Sequence, residues 1–147
     1  MKNLIKKNIL FIANANFTSK KISTYQTLCQ AHSLSKHSNI TLILPNRSDL
    51  KKSRKNIKNL AKKRLNIKSE INFKIKCIDY FDITNYKWLN HHIRFTLSNI
   101  GFSLSAIKNI WQGNYQIIYT RDFYTMIFLS ILKNLKILSK PILFESH

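Results

Sequence analysis

The chain has 147 residues, 44% of them apolar, with 25 Lys and Arg against 6 Asp and Glu, a formal charge of +19. One domain's length at that apolar fraction excludes wholesale disorder. A total of two Gly and two Pro excludes flexible linkers and a Gly-rich phosphate loop, and neither GxGxxG nor GxxxxGK followed by Ser or Thr occurs.

In chain order, Asn8 to Ala13 is a continuous apolar run that fits a central parallel strand. A polar loop over residues 14–21 follows. Ser23-Thr-Tyr-Gln26 matches a capping box, which predicts a helix start with Ser23 as cap. Tyr25, Leu28, Cys29 and His32 would then form its inner face. Asn39 to Leu44 is a second strand, stopped by Pro45-Asn46. Residues 49–68 are dense in Lys and Arg around a thin stripe of Ile57, Leu60, Ala61 and Leu65, which reads as a surface helix. Phe73 to Ile78 alternates, as a strand near a sheet edge does.

Leu89, Ile93, Leu97, Ile100, Leu104, Ile107 and Trp111 recur at steps of three and four, predicting a helical segment over 86–111 with Gly101 as a break point. Tyr115 to Arg121 reads as a buried strand ending in polar groups, 123–138 as a short apolar helix, and Pro141 to His147 as another buried strand. Strand and helix alternate throughout. The fold class is therefore α/β: a single Rossmann-like domain over 1–147 with a doubly wound parallel sheet, order 3-2-1-4-5.

Cys29 and Cys77 lack paired spacing and read as buried thiols in a reducing compartment. The apolar run Met126 to Leu129, like Ile9 to Ala13, falls far short of the roughly 20 residues that span a bilayer. With no signal peptide at the N-terminus, the expected location is cytoplasmic.

An ordered set of segments resembles family 4 glycosyltransferases. It comprises Ala13-Asn-Ala-Asn16, Tyr25-Gln26, Cys29-Gln-Ala31 and Leu44-Pro45, then Leu65-Asn-Ile-Lys68 with Asn72-Phe-Lys-Ile75. Ile117-Ile-Tyr-Thr-Arg121 and Phe144-Glu-Ser-His147 complete it. The resemblance implies the N-terminal, acceptor-side half of a GT-B enzyme. The donor-binding half, with the family's paired glutamates, would come from a longer polypeptide or a separate donor-domain chain. It further implies transfer of a sugar from a nucleotide-sugar co-substrate to a sugar or lipid-linked hydroxyl acceptor, with retention of anomeric configuration and no resident cofactor or metal. Cell-surface polysaccharide or glycolipid synthesis would be the setting. The glycine pair that many relatives carry after the first strand is missing, so an altered donor-phosphate contact is expected.

The resemblance places His147 in the cleft beside the sugar being transferred, where an imidazole would hydrogen-bond a sugar hydroxyl. Glu145, two residues earlier on the same side of a strand, would accept acceptor hydroxyls or hold His147. Arg121 suits a phosphate or carboxylate, and Glu145 on the neighbouring strand end is its natural partner. Asn14, Asn16 and Thr18 lie in the loop that opens on the switch-point crevice, where they would meet sugar hydroxyls or phosphate.

His91-His92 point about 100° apart on a helix and make a poor metal pair. The charge admits anionic partners, but Lys far outnumbers Arg and the chain is rich in Lys, Asn and Ile, as A+T-rich coding produces. The run Lys51 to Lys68 is either a solvated face or a peripheral contact with an anionic membrane. Nucleic acid is not an expected partner, since no recognised binding module occurs. The alternative to an enzyme half is a non-catalytic remnant or interaction module with a basic surface.

Overall fold

The computed structural model describes residues 6–16, 21–47, 57–67, 70–84, 86 and 88–146. Its five strands are β1 (Asn8–Ile12), β2 (Asn39–Pro45), β3 (Lys74–Ile78), β4 (Ile117–Thr120) and β5 (Ile142–Phe144). They form one all-parallel sheet in the order β3-β2-β1-β4-β5, as expected. The described helices are α1 (Ile22–Ser35), α2 (Ile57–Leu65), α3 (His91–Lys108) and α4 (Phe123–Asn134).

The central strand β1 is covered on both faces, which explains its unbroken apolar run. Ile9, Phe11 and Ala13 meet Leu28 and Ala31 of α1 and Ala61 of α2 in one core. Leu10 and Ile12 point the other way, into a second core with Phe102, Ala106 and Ile107 of α3 and Leu129 of α4. One layer is thus α1 with α2, the other α3 with α4.

The structure corrects several local expectations. Helix α1 starts at Ile22, and Lys21 occupies the N-cap without a side-chain capping hydrogen bond, so Ser23 is not the cap. The tether is instead Thr24, whose hydroxyl donates to the Asn16 carbonyl (3.0 Å). The inner face of α1 is Thr24, Thr27, Leu28, Ala31 and Ser35, while Tyr25 is exposed. These buried hydroxyls donate within the chain, Thr27 to Ser23 O (2.9 Å) and Ser35 to His32 O (2.7 Å), so their burial costs little.

Gly101 does not split α3. The helix is continuous, and the Phe81 carbonyl lies 2.6 Å from where a Cβ on Gly101 would stand. The glycine serves close approach of the β3–α3 loop. The predicted apolar stripe of α3 faces mainly outward. Ile93, Leu97, Leu104 and Trp111 are exposed, and Ser98, Asn99, Phe102, Ser103, Ala106 and Ile107 are buried.

Strand β5 is not buried as expected but forms an edge of the sheet, with Leu143 and Phe144 exposed. The basic run is described only from Ile57 to Ile67, where α2 buries Ala61 alone. No helix among the described residues is long and apolar enough to cross a membrane.

Candidate functional site at the carboxyl edge

Helices α1 and α4 leave β1 and β4 toward opposite faces of the sheet, which opens a crevice at the carboxyl ends of those strands. The crevice encloses about 130 Å³ and is lined by Ala13, Asn14, Ala15, Ser23, Thr27, Arg121 and Asp122. That volume holds a phosphate or part of a sugar ring, well below the several hundred Å³ of a complete ligand site. The start of α1 borders it, and no acidic residue sits in that helix's first turn, so the helix dipole there favours an anion.

Among the described residues lining the crevice, Arg121 is the cation. Its side chain is only 7% exposed, and its Nε lies 3.8 Å from Glu145 Oε1, the expected ion pair. Nη2 reaches Gln26 Oε1 at 3.4 Å, while Nε and Nη1 are buried without a hydrogen-bond acceptor. A guanidinium with unused donors can donate to an anionic oxygen.

Glu145 is more heavily engaged than expected of a residue waiting for an acceptor. Its Oε2 accepts from Gln30 Nε2 (2.5 Å) and from the Tyr119 hydroxyl. Burial, and then the hydrogen bond and charge of Glu145, push the Tyr119 phenol above its ordinary range, so Tyr119 stays a proton donor. These contacts turn the carboxylate toward α1.

Asp122 faces the other layer and caps α4. It accepts from Thr125 N–H (2.7 Å), the Thr125 hydroxyl (2.6 Å) and the Ser103 hydroxyl (3.0 Å), which locks α3, α4 and the end of β4 together.

Asn14 links the crevice to a second polar network. Its Nδ2 donates to Asn99 Oδ1 (2.5 Å), and its Oδ1 accepts from Arg47 Nη2 (3.0 Å). At the ends of β2 and β3, Asn46 Nδ2 donates to Asp79 Oδ1 (2.5 Å). Tyr80 nearby is pushed up to about 12, chiefly by burial, with Arg47 opposing the shift and Asp82 adding to it. Burial also tends to raise Asp82, but hydrogen bonds from Thr84, Tyr80 and Ser98 outweigh it and hold the carboxyl below its usual range.

Of the residues singled out in the sequence, Asn14 and Arg121 line one crevice and Glu145 adjoins it through Arg121. Asn16 contributes its carbonyl to the start of α1. Thr18 and His147 lie outside the described residues. Sequence reasoning missed Arg47, Asn99, Gln30 and Tyr119. The polar Asn99, in the middle of the predicted helical segment over 86–111, was the one available signal. His91 stacks on Phe95 (ring centroids 6.5 Å apart), and no cluster of three or more metal-ligating side chains forms among the described residues.

A larger concavity, about 790 Å³, is at the opposite, amino edge of the sheet, lined by Asn8, Asn39, Lys74 and Asn114 among others. Open α/β sheets bind at the carboxyl edge, where this chain's polar networks converge, and that edge is the candidate site. No protein-family model matches the chain, and no curated protein matches it significantly.

Proposed function

We propose that the chain is the acceptor-side half of a family 4 glycosyltransferase, moving a sugar from a nucleotide-sugar to a sugar or lipid-linked hydroxyl. The observation that carries this reading is the switch-point crevice, which gathers Asn14, Ser23, Thr27 and the buried Arg121 beside the start of α1. In the proposed role, Arg121 and the first turn of α1 stabilise a developing diphosphate or orient an anionic acceptor group, and Asn14 orients hydroxyls. Glu145 positions Arg121 through their ion pair. A small crevice supplies one wall of a cleft, in keeping with a donor half contributed by further chain or by a partner.

The test is a titration of the isotope-labelled chain with nucleotide-sugars, nucleoside diphosphates and simple glycosides, followed by backbone NMR. The proposal expects shifts confined to Asn14, Ser23, Thr27 and Arg121, reduced about tenfold or more in Arg121→Ala, since a charge-assisted contact is worth on that order. Saturating ligand that leaves these amides unmoved refutes it. A second reading, an interaction module without catalysis, is favoured by the exposed apolar side of α3 and α4.

A further inference from the structure

We propose that the outward face of α3 and α4 is a docking surface for an anionic lipid bilayer. The inference stands independently of any transferase activity.

The two helices lie side by side, joined where Tyr124 meets Thr96 and Thr125 meets Ser103. Beside that seam each helix shows an exposed apolar row. On α3 it is Ile93, Leu97 and Leu104, continued by Trp111 past the helix end. On α4 it is Phe123, Ile127 and Ile131, continued by Leu135. Spacings of four and seven residues keep each row on one side of its helix. An apolar face of this extent is not ordinary surface scatter, and nothing among the described residues covers it.

The charges around the face identify its occupant. Between residues 83 and 144 the chain has one acidic residue, Asp122, and seven Lys and Arg. Asp122 is turned inward as the α4 cap. Lys108, Lys133 and Lys136 are exposed at the carboxyl ends of the two helices, next to Trp111, Leu135 and Ile137. The turn leading into α3 carries Trp88, 79% exposed, with exposed Tyr86 beside it. Apolar rows, aromatic flanks and the exposed Lys108, Lys133 and Lys136, beside which no acidic residue lies in sequence, match the headgroup–acyl boundary of an anionic membrane.

A second copy of the chain fits poorly, because each copy carries +19. Nucleic acid would satisfy the cations but not the apolar rows. The lysine-dense helix α2 has the charge for membrane contact but not the apolar face. The proposal thus places the membrane contact on this layer rather than on the basic run Lys51 to Lys68, of which residues 57–67 are described.

The chain's two tryptophans, Trp88 and Trp111, bracket α3 and report on this face without any mutation. The experiment mixes the whole chain with phosphatidylcholine vesicles containing about 30% phosphatidylglycerol and brominated acyl chains, where each cation near the surface adds on the order of 1 kcal/mol. Expected is a blue shift with quenching of tryptophan fluorescence, absent with pure phosphatidylcholine. Leu97→Gln with Ile127→Gln keeps the charge and is expected to weaken partitioning at least about tenfold, with the circular dichroism spectrum unchanged. Lys62→Gln with Lys63→Gln on α2 is expected to stay within about threefold of the parent.

No quenching with anionic vesicles overturns the proposal. So does binding lost in the lysine pair but kept in the Leu97 and Ile127 pair. A lipid-free dimer that the Leu97 and Ile127 pair abolishes would reassign the face to self-association.

Discussion

The two helical layers cover the same sheet but end differently at solvent. The α1–α2 layer turns outward a surface of Lys, Ser, Gln and Asn, with Ile22 and Tyr25 as its exposed large apolar side chains. The α3–α4 layer turns outward two rows of large apolar side chains and buries Ser98, Asn99, Ser103 and Thr125 beneath them. Among the described residues the first layer is thus polar toward solvent, and the second carries the apolar face proposed as a docking surface. The difference arises because the inner side of α3 carries polar groups that are already paired, Asn99 with Asn14, Ser98 with Asp82, and Ser103 with Asp122. A satisfied polar inner side can sit on the core, which leaves the larger apolar residues outward.

The contrast is broken or sharpened most strongly by two substitutions on one helix. Phe102→Ala, at a side chain 0% exposed, is expected to cost about 3–5 kcal/mol in chemical denaturation. Leu104→Ala, at 53% exposure two residues on, is expected to stay within about 0.5 kcal/mol in lipid-free solution. An equal cost at the two positions would mean that the outer face is covered in the free protein. Next in size is Gly101→Ala, which sets a Cβ against the Phe81 carbonyl and is expected to lower stability by about 1–3 kcal/mol, despite the better helix propensity of Ala. A gain in thermal stability would show that the loop yields easily.

At the carboxyl edge, Glu145→Arg or Arg121→Glu is expected to cost about 1–2 kcal/mol, tempered by the exposure of Glu145, and the double exchange to recover part of it. No recovery in a double-mutant cycle would make Arg121 a packing residue only. The smallest effect concerns Asp82. Because its folded-state pKa is depressed, its stabilising contribution is present above the ordinary carboxyl value of about 4 and is lost as pH falls through the folded value. Asp82→Asn is therefore expected to flatten the acid limb of the stability–pH curve, with variant and parent converging in strong acid. Parallel curves would show that the hydrogen bonds to Asp82 are equally good with a neutral partner.

Much of the fold was legible in the residues. The apolar runs at Asn8 and Asn39, the alternation at Lys74 and the strand–helix–strand after Tyr115 all lie where expected, within one to three residues at most ends. The Arg121–Glu145 pair followed from neighbouring strand ends in the predicted order. The capping box at Ser23 misled because the motif is short and the tether from Thr24 to Asn16 starts the helix earlier. The crevice was only half legible. Asn14 and Arg121 follow polar signals at strand ends, whereas Arg47, Gln30, Tyr119 and Asn99 are tied to the site by hydrogen bonds to partners 26 to 115 residues away in sequence.

By itself, then, the sequence determined the alternation of strand and helix, the parallel order of the sheet and the edge at which polar side chains gather. Those follow from local apolar periodicity and from the handedness of parallel crossovers, both written along the chain. Only the tertiary structure decided which side of α1 and α3 turns inward. Periodicity measures where large apolar residues fall. Burial is decided by close approach and by whether polar groups find partners, as Gly101 does against Phe81 and Asn99 against Asn14.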